Sequence, residues 1–122
     1  MTKIMLIRHG EKPDINSGAP PFGLVESGEQ SRFGLTTRGW RRAGALALLF
    51  GEEGPSFRPG ILATPDFIFA AGIGPHSHSL RMQQTIAPLK SKLGDAVKVN
   101  IGYLKQQETE IDYLSLARTA RP

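Results

Sequence analysis

The chain has no cysteine, which excludes disulfides, thiolate catalysis and cysteine-based zinc sites. No apolar stretch approaches the roughly 20 residues of a membrane-spanning helix. Only Lys3 precedes a very short apolar run at the N-terminus, too little for a secretory signal. A cytoplasmic location with no membrane partner is therefore expected. Aromatic residues make up 7% of the chain, and no aromatic platform or finger motif accompanies the basic residues. Histidine is scarce, at three residues, so each position carries weight. There is no internal repeat and no low-complexity tract.

What remains is an ordinary soluble composition: 122 residues, 39% hydrophobic and 21% charged, with a formal net charge of +4. That length suits one domain, residues 1–122, with one core. The positive charge fits a pocket for an anionic substrate. Arg38, Arg41 and Arg42 would share one helix face, so nucleic-acid binding is carried as a minor reading.

The segment Lys3–Glu11, KIMLIRHGE, concentrates the chemistry. Ile4 to Ile7 has the length and β-branched content of a buried strand. It breaks into Arg8, His9, Gly10 and Glu11, and a glycine there lets the backbone approach a ligand. In open α/β sheets, ligands bind at the carboxyl ends of strands. A guanidinium beside an imidazole suits a phosphate, because the cation holds the oxygens while the ring nitrogen attacks.

Lys12 to Gly34 reads as a long irregular loop rich in proline, glycine and serine. It leaves directly from Gly10 and Glu11 and can form a wall of the site. Leu35–Gly39 opens a helix, with Thr36 or Thr37 as cap. Ala43, Leu46, Ala47 and Phe50 supply its apolar face, and Gly51 stops it. Glu52 to Pro65 reads as loop and Phe67 to Ala71 as a second buried strand. A turn and a second helix follow, with Met82, Ile86, Leu89 and Leu93 on one face. Pro88 is expected to kink or divide that helix, and Gly94 to end it. Val97 to Ile101 is a third strand, and Tyr103 to Arg118 can hold a final helix. The alternation of strands and helices predicts a three-layer α/β sandwich, with a mostly parallel central sheet and helices on both faces.

Three features resemble the histidine phosphatase superfamily, also called phosphoglycerate mutase-like. They are the Arg8-His9-Gly10 tripeptide, the Leu35-Thr36-x-x-Gly39 helix start, and Ser77, Arg81 and Thr85 at spacings of four just past the second strand. The resemblance implies a phosphomonoesterase, with His9 as the nucleophile that becomes phosphohistidine and Arg8 and Arg81 as phosphate clamps. Gly10, Glu11, Ser77 and His78 would line the substrate site, and a phosphate or sulfate ion would fit the pocket. Glu108 best matches the family's proton donor, with Glu110 and Glu11 as rivals. The implied partner is a phosphorylated small molecule or a phosphoprotein. No cofactor or metal is implied; His76 and His78 alternate like a ligand pair, but no third ligand accompanies them.

One departure stands out. Family members carry a second catalytic histidine downstream, whereas this chain has only His9, His76 and His78. The resemblance thus implies a domain incomplete at its C-terminus. In a short variant, His76 or His78 would substitute, or a partner subunit would complete the site. An unpaired sheet edge would favour a homodimer. The alternative function is a phosphate-binding or phosphoprotein-binding regulatory relative that turns over poorly.

Overall fold

The computed structural model describes residues 3–14, 16–51, 62–75 and 78–103. The elements in chain order are helix α1 (Thr37–Phe50), strand β1 (Phe67–Phe69), helix α2 (Arg81–Leu93), a 3-10 turn at Gly94–Ala96 and strand β2 (Lys98–Asn100). β1 and β2 pair in parallel, with Phe67 opposite Lys98, Ile68 opposite Val99 and Phe69 opposite Asn100. The result is a small α/β fold with two helices and a short two-stranded parallel sheet. Parallel neighbours need a long crossover, and α2 supplies it.

α1 starts where Thr36 accepts a hydrogen bond from the Gly39 amide at 3.2 Å, which satisfies one of the free N–H groups of the first turn. Gly51 closes it, its own N–H donating to the Ala47 carbonyl. Ala43, Ala47 and Phe50 are buried and Leu46 is half-buried, as helical spacing requires. α2 runs unbroken through Pro88. Of the expected kink or division at that residue, division does not occur; Ile86 and Leu89 on either side of it are in the core. Gly94 ends α2 with a φ of 56°, a conformation that favours glycine.

The core joins Ala47 and Phe50 of α1, Ile86, Leu89 and Leu93 of α2, Ile68 and Ala70 from and after β1, and Val97 before β2. Burying aliphatic and aromatic side chains of this size contributes about 1.5–3 kcal/mol each.

The N-terminal run departs from expectation. Residues 3–10 form no strand. Ile4, Leu6 and Ile7 are 43%, 70% and 49% exposed, and only Met5 packs against the core cluster. The apolar run is therefore not an inner strand of the observed sheet. Its composition suits a strand, but hydrogen-bonded neighbours decide whether one forms, and none of the described residues pairs with it.

The segment from 12 to 34 is irregular, as its composition predicts, yet it is tied down. Leu24 bridges antiparallel to both Gln30 and Leu35, and Gly28, at φ 90°, turns the intervening chain. The helix expected over Tyr103 to Arg118 and most of the Glu52–Pro65 loop lie outside the described residues. Among the described residues, no helix is long and apolar enough to cross a membrane.

Candidate functional site

Two segments far apart in sequence meet beside the amino ends of both helices. The Gly10 N–H donates to the Thr85 hydroxyl at 2.9 Å, and that hydroxyl donates to the Arg81 carbonyl at 2.6 Å. Thr85 is 1% exposed, so the bond is shielded from water. On the other side, the Glu11 carbonyl accepts from the Thr36 N–H at 3.0 Å and from the Thr36 hydroxyl at 3.3 Å. Gly39 lies against the same stretch. A Cβ at Gly39 would stand 2.8 Å from the Glu11 carbonyl oxygen, and one at Gly10 would stand 2.9 Å from Gly39 Cα. Two glycines thus let helix and loop backbones touch.

His9 is half-buried between these anchors. Its Nδ1 lies 2.6 Å from the Gly10 carbonyl oxygen. A carbonyl can only accept, so Nδ1 carries the proton. In the neutral ring this leaves the Nε2 lone pair free, which is the form needed for nucleophilic attack.

Arg81 is the first residue of α2. Its Nη1 donates to the Arg32 carbonyl at 3.1 Å, and its Nε is buried without a hydrogen-bond partner. Burial pushes the guanidinium below the usual arginine range, because desolvation disfavours the charged form. It remains a cation at neutral pH. Leu80 occupies the cap position of α2 without a side-chain cap bond, while the Arg81 N–H donates to Ser79 Oγ at 3.4 Å. The dipole and free amides of that end favour negative charge, so a cation there is uncompensated.

Arg8 is exposed. Glu11 forms an ion pair with Arg42 of α1, and its Oε2 is buried without a partner. Of the three arginines expected to form a basic stripe, Arg42 is thereby partly neutralised, while Arg38 and Arg41 remain exposed. His78 is exposed, its ring 5.6 Å from that of Phe33. The structure thus brings His9, Gly10, Arg81 and Thr85 onto one framework, with Glu11 turned toward α1. Ser77, Glu108, the rival Glu110 and His76 lie outside the described residues. No group of three histidines or carboxylates able to hold a metal occurs among the described residues.

Sequence reasoning missed Gln84 and Phe33. Gln84 is buried in α2; its Oε1 accepts from the Leu35 N–H at 2.8 Å and its Nε2 donates to the Leu24 carbonyl at 3.4 Å. Trp40 Nε1 donates to the same carbonyl at 3.1 Å. The loop is thereby pinned to both helices. A glutamine among apolar helical positions is the signal that marks such a bridge, since a buried amide must find partners. Phe33 holds the loop by its backbone, its carbonyl accepting from the Leu80 N–H at 2.9 Å.

An open cleft of about 460 Å³ lies within the loop, walled by Pro13, Phe22, Gln30, Ser31 and Arg32 among others. It does not include His9 but reaches Arg32, whose carbonyl holds Arg81. Comparison with known protein families, curated proteins and solved structures finds no significant match to this chain.

Proposed function

We propose that the chain is a phosphomonoesterase of the histidine phosphatase type, working through a phosphohistidine on His9. The observation that carries this reading is the Gly10–Thr85 hydrogen bond. It couples the Arg8-His9-Gly10 segment to the helix turn bearing Arg81, which supports a shared role for the two. The tautomer of His9 and the unpartnered Nε of Arg81 support it as well.

In the proposed reaction, Arg81 and Arg8 hold the phosphoryl oxygens and offset their charge. The Nε2 lone pair of His9 attacks phosphorus, the P–O ester bond breaks, and the alcohol oxygen leaves with a proton from an acid. Glu108 is the residue the family resemblance assigns to that role. Water then attacks the phosphohistidine, releasing inorganic phosphate and restoring the imidazole. His78 would sit at the rim of the pocket, and the family resemblance assigns Ser77 to substrate binding. The same reading extends the observed β1–α2–β2 unit to a three-layer α/β sandwich with a mostly parallel sheet and helices on both faces, and it fits a cytoplasmic enzyme acting on a phosphorylated small molecule or phosphoprotein.

The test is hydrolysis of an aryl phosphate without added metal, by this chain and by His9→Ala. Activity lost in the variant, with phosphate label trapped on the histidine, supports the enzyme. Phosphate binding without turnover in either protein assigns the chain instead to the regulatory, phosphate-binding alternative.

A further inference from the structure

Glu11 makes contacts with α1 that the phosphate reading does not use. Thr36, Gly39 and Arg42, at steps of three from the cap of that helix, all meet it. The Thr36 N–H and hydroxyl donate to the Glu11 carbonyl at 3.0 Å and 3.3 Å. A Cβ at Gly39 would stand 2.9 Å from the Glu11 nitrogen and 2.8 Å from its carbonyl oxygen. The Nε of Arg42 pairs with Oε1 of the Glu11 carboxylate. The other carboxylate oxygen, Oε2, is out of water and has no hydrogen-bond partner. Immediately before Glu11, the Gly10 N–H is bonded to Thr85 of α2, and His9 precedes that glycine. The carboxylate is thus committed to α1, which has no acidic residue of its own in the first turn.

We propose that Glu11 is a positioning residue: paired with Arg42, it holds the segment bearing His9 on α1, and it neither binds substrate nor donates the proton. This rests on the phosphohistidine reading and adds a tether to α1 beside the one that Thr85 makes to α2. The pair is largely exposed, the Arg42 side chain at 65% and that of Glu11 at 35%, so it adds little to overall stability. Its effect is local. Without Arg42, a carboxylate with one oxygen shielded from water keeps its charge and loses its partner, the costly way to break an ion pair. The relief open to it is to turn out to solvent, and that turn pulls on Gly10. Glu11→Gln escapes this cost, since the side-chain oxygen still accepts from Arg42 and no carboxylate is left unpaired.

The test follows hydrogen exchange of the Gly10 amide by NMR in the full chain, alongside the kinetics of aryl phosphate hydrolysis. Arg42→Gln should speed Gly10 exchange by about tenfold through local opening. The amide of Leu89, in the core part of α2, should keep its rate. Glu11→Gln, and Glu11→Gln combined with Arg42→Gln, should stay within about threefold of the parent, because neither leaves an unpaired carboxylate. Arg42→Lys keeps the charge and should behave likewise. In turnover, Arg42→Gln should lower kcat and leave KM within about twofold, the mark of a residue that acts through His9 rather than on substrate. Gly10 exchange unmoved by Arg42→Gln, a rise shared by Leu89, or His9-dependent hydrolysis with an unaltered kcat overturns the inference. So does Glu11→Gln raising KM alone, which would assign the carboxylate to substrate. The expected exchange pattern in a chain without His9-dependent hydrolysis overturns the catalytic reading alone, because exchange is read without turnover.

Discussion

Gly10 and Thr85, 75 positions apart, are joined by a buried 2.9 Å hydrogen bond in which the glycine N–H donates to the threonine hydroxyl. The same hydroxyl donates to the Arg81 carbonyl, so one side chain fixes the candidate nucleophile's loop against the first turn of α2. Valine fills the same space with no acceptor. Thr85→Val should therefore lower unfolding free energy by about 1–3 kcal/mol, the cost of leaving a buried N–H unsatisfied. Thr85→Ser should retain most of the stability, as read by denaturant titration.

Gly39→Ala brings a methyl group within 2.8 Å of the Glu11 backbone. The helix or the loop must move, at a cost of about 1–3 kcal/mol, and any His9-dependent activity should fall with it. Gly44, in the same helix, has open space where a Cβ would go. Gly44→Ala should raise stability by about 0.5–1 kcal/mol through helix propensity. Comparing the two variants by thermal unfolding separates close approach from propensity.

Arg81→Met removes a cation that folding partly desolvates. Its lowered folded-state pKa means that folding favours deprotonation. The group adds stability only in the alkaline range above its unfolded value and none near neutral pH. In phosphate-free buffer the variant should melt close to the parent. Added inorganic phosphate should raise the melting temperature of the parent, by an amount equivalent to about 2.7 kcal/mol at a hundredfold excess over Kd, and should leave Arg81→Met unmoved. A parent that phosphate does not stabilise would remove Arg81 from the role of clamp.

Leu6 is 70% exposed, so Leu6→Ser should change stability by less than about 0.5 kcal/mol. Ile86→Ala, in the core cluster, should cost about 2–5 kcal/mol. A large loss at Leu6 would place the N-terminal run inside the sheet after all.

Gln84→Leu leaves the Leu35 N–H without its acceptor, at a cost of about 1–3 kcal/mol, and frees the loop that carries Arg32. Faster proteolysis between residues 12 and 34 is the expected sign.

The helices were legible because their signals are local. Thr36 can cap, Gly51 and Gly94 can stop, and apolar residues at helical spacing mark a buried face whatever it packs against. β1 was legible as a short apolar run, and β2 lies inside the strand expected over Val97 to Ile101. Ile4 to Ile7 read identically, yet it forms no strand, because a strand exists only where another chain segment supplies hydrogen bonds. The family resemblance places His9 with Arg81 as an expectation; the bonds observed run from Gly10, next to His9, to Thr85 and from Thr85 to the Arg81 carbonyl. Gln84 carried the signal of an amide among apolar helical positions, but nothing local announces which backbone groups such an amide will reach, and Phe33 carried no signal at all.

By itself, the sequence determined what short-range physics controls: helix ends and faces, the irregular loop after Gly10, the exclusion of thiol chemistry, and the residue types able to handle a phosphate. Tertiary structure decided which apolar run joined the sheet, that Gly10 meets Thr85 of α2, and that Arg32 stands between Arg81 and a cleft. Those outcomes depend on contacts between residues distant in the chain, whose partners are chosen only when the core closes.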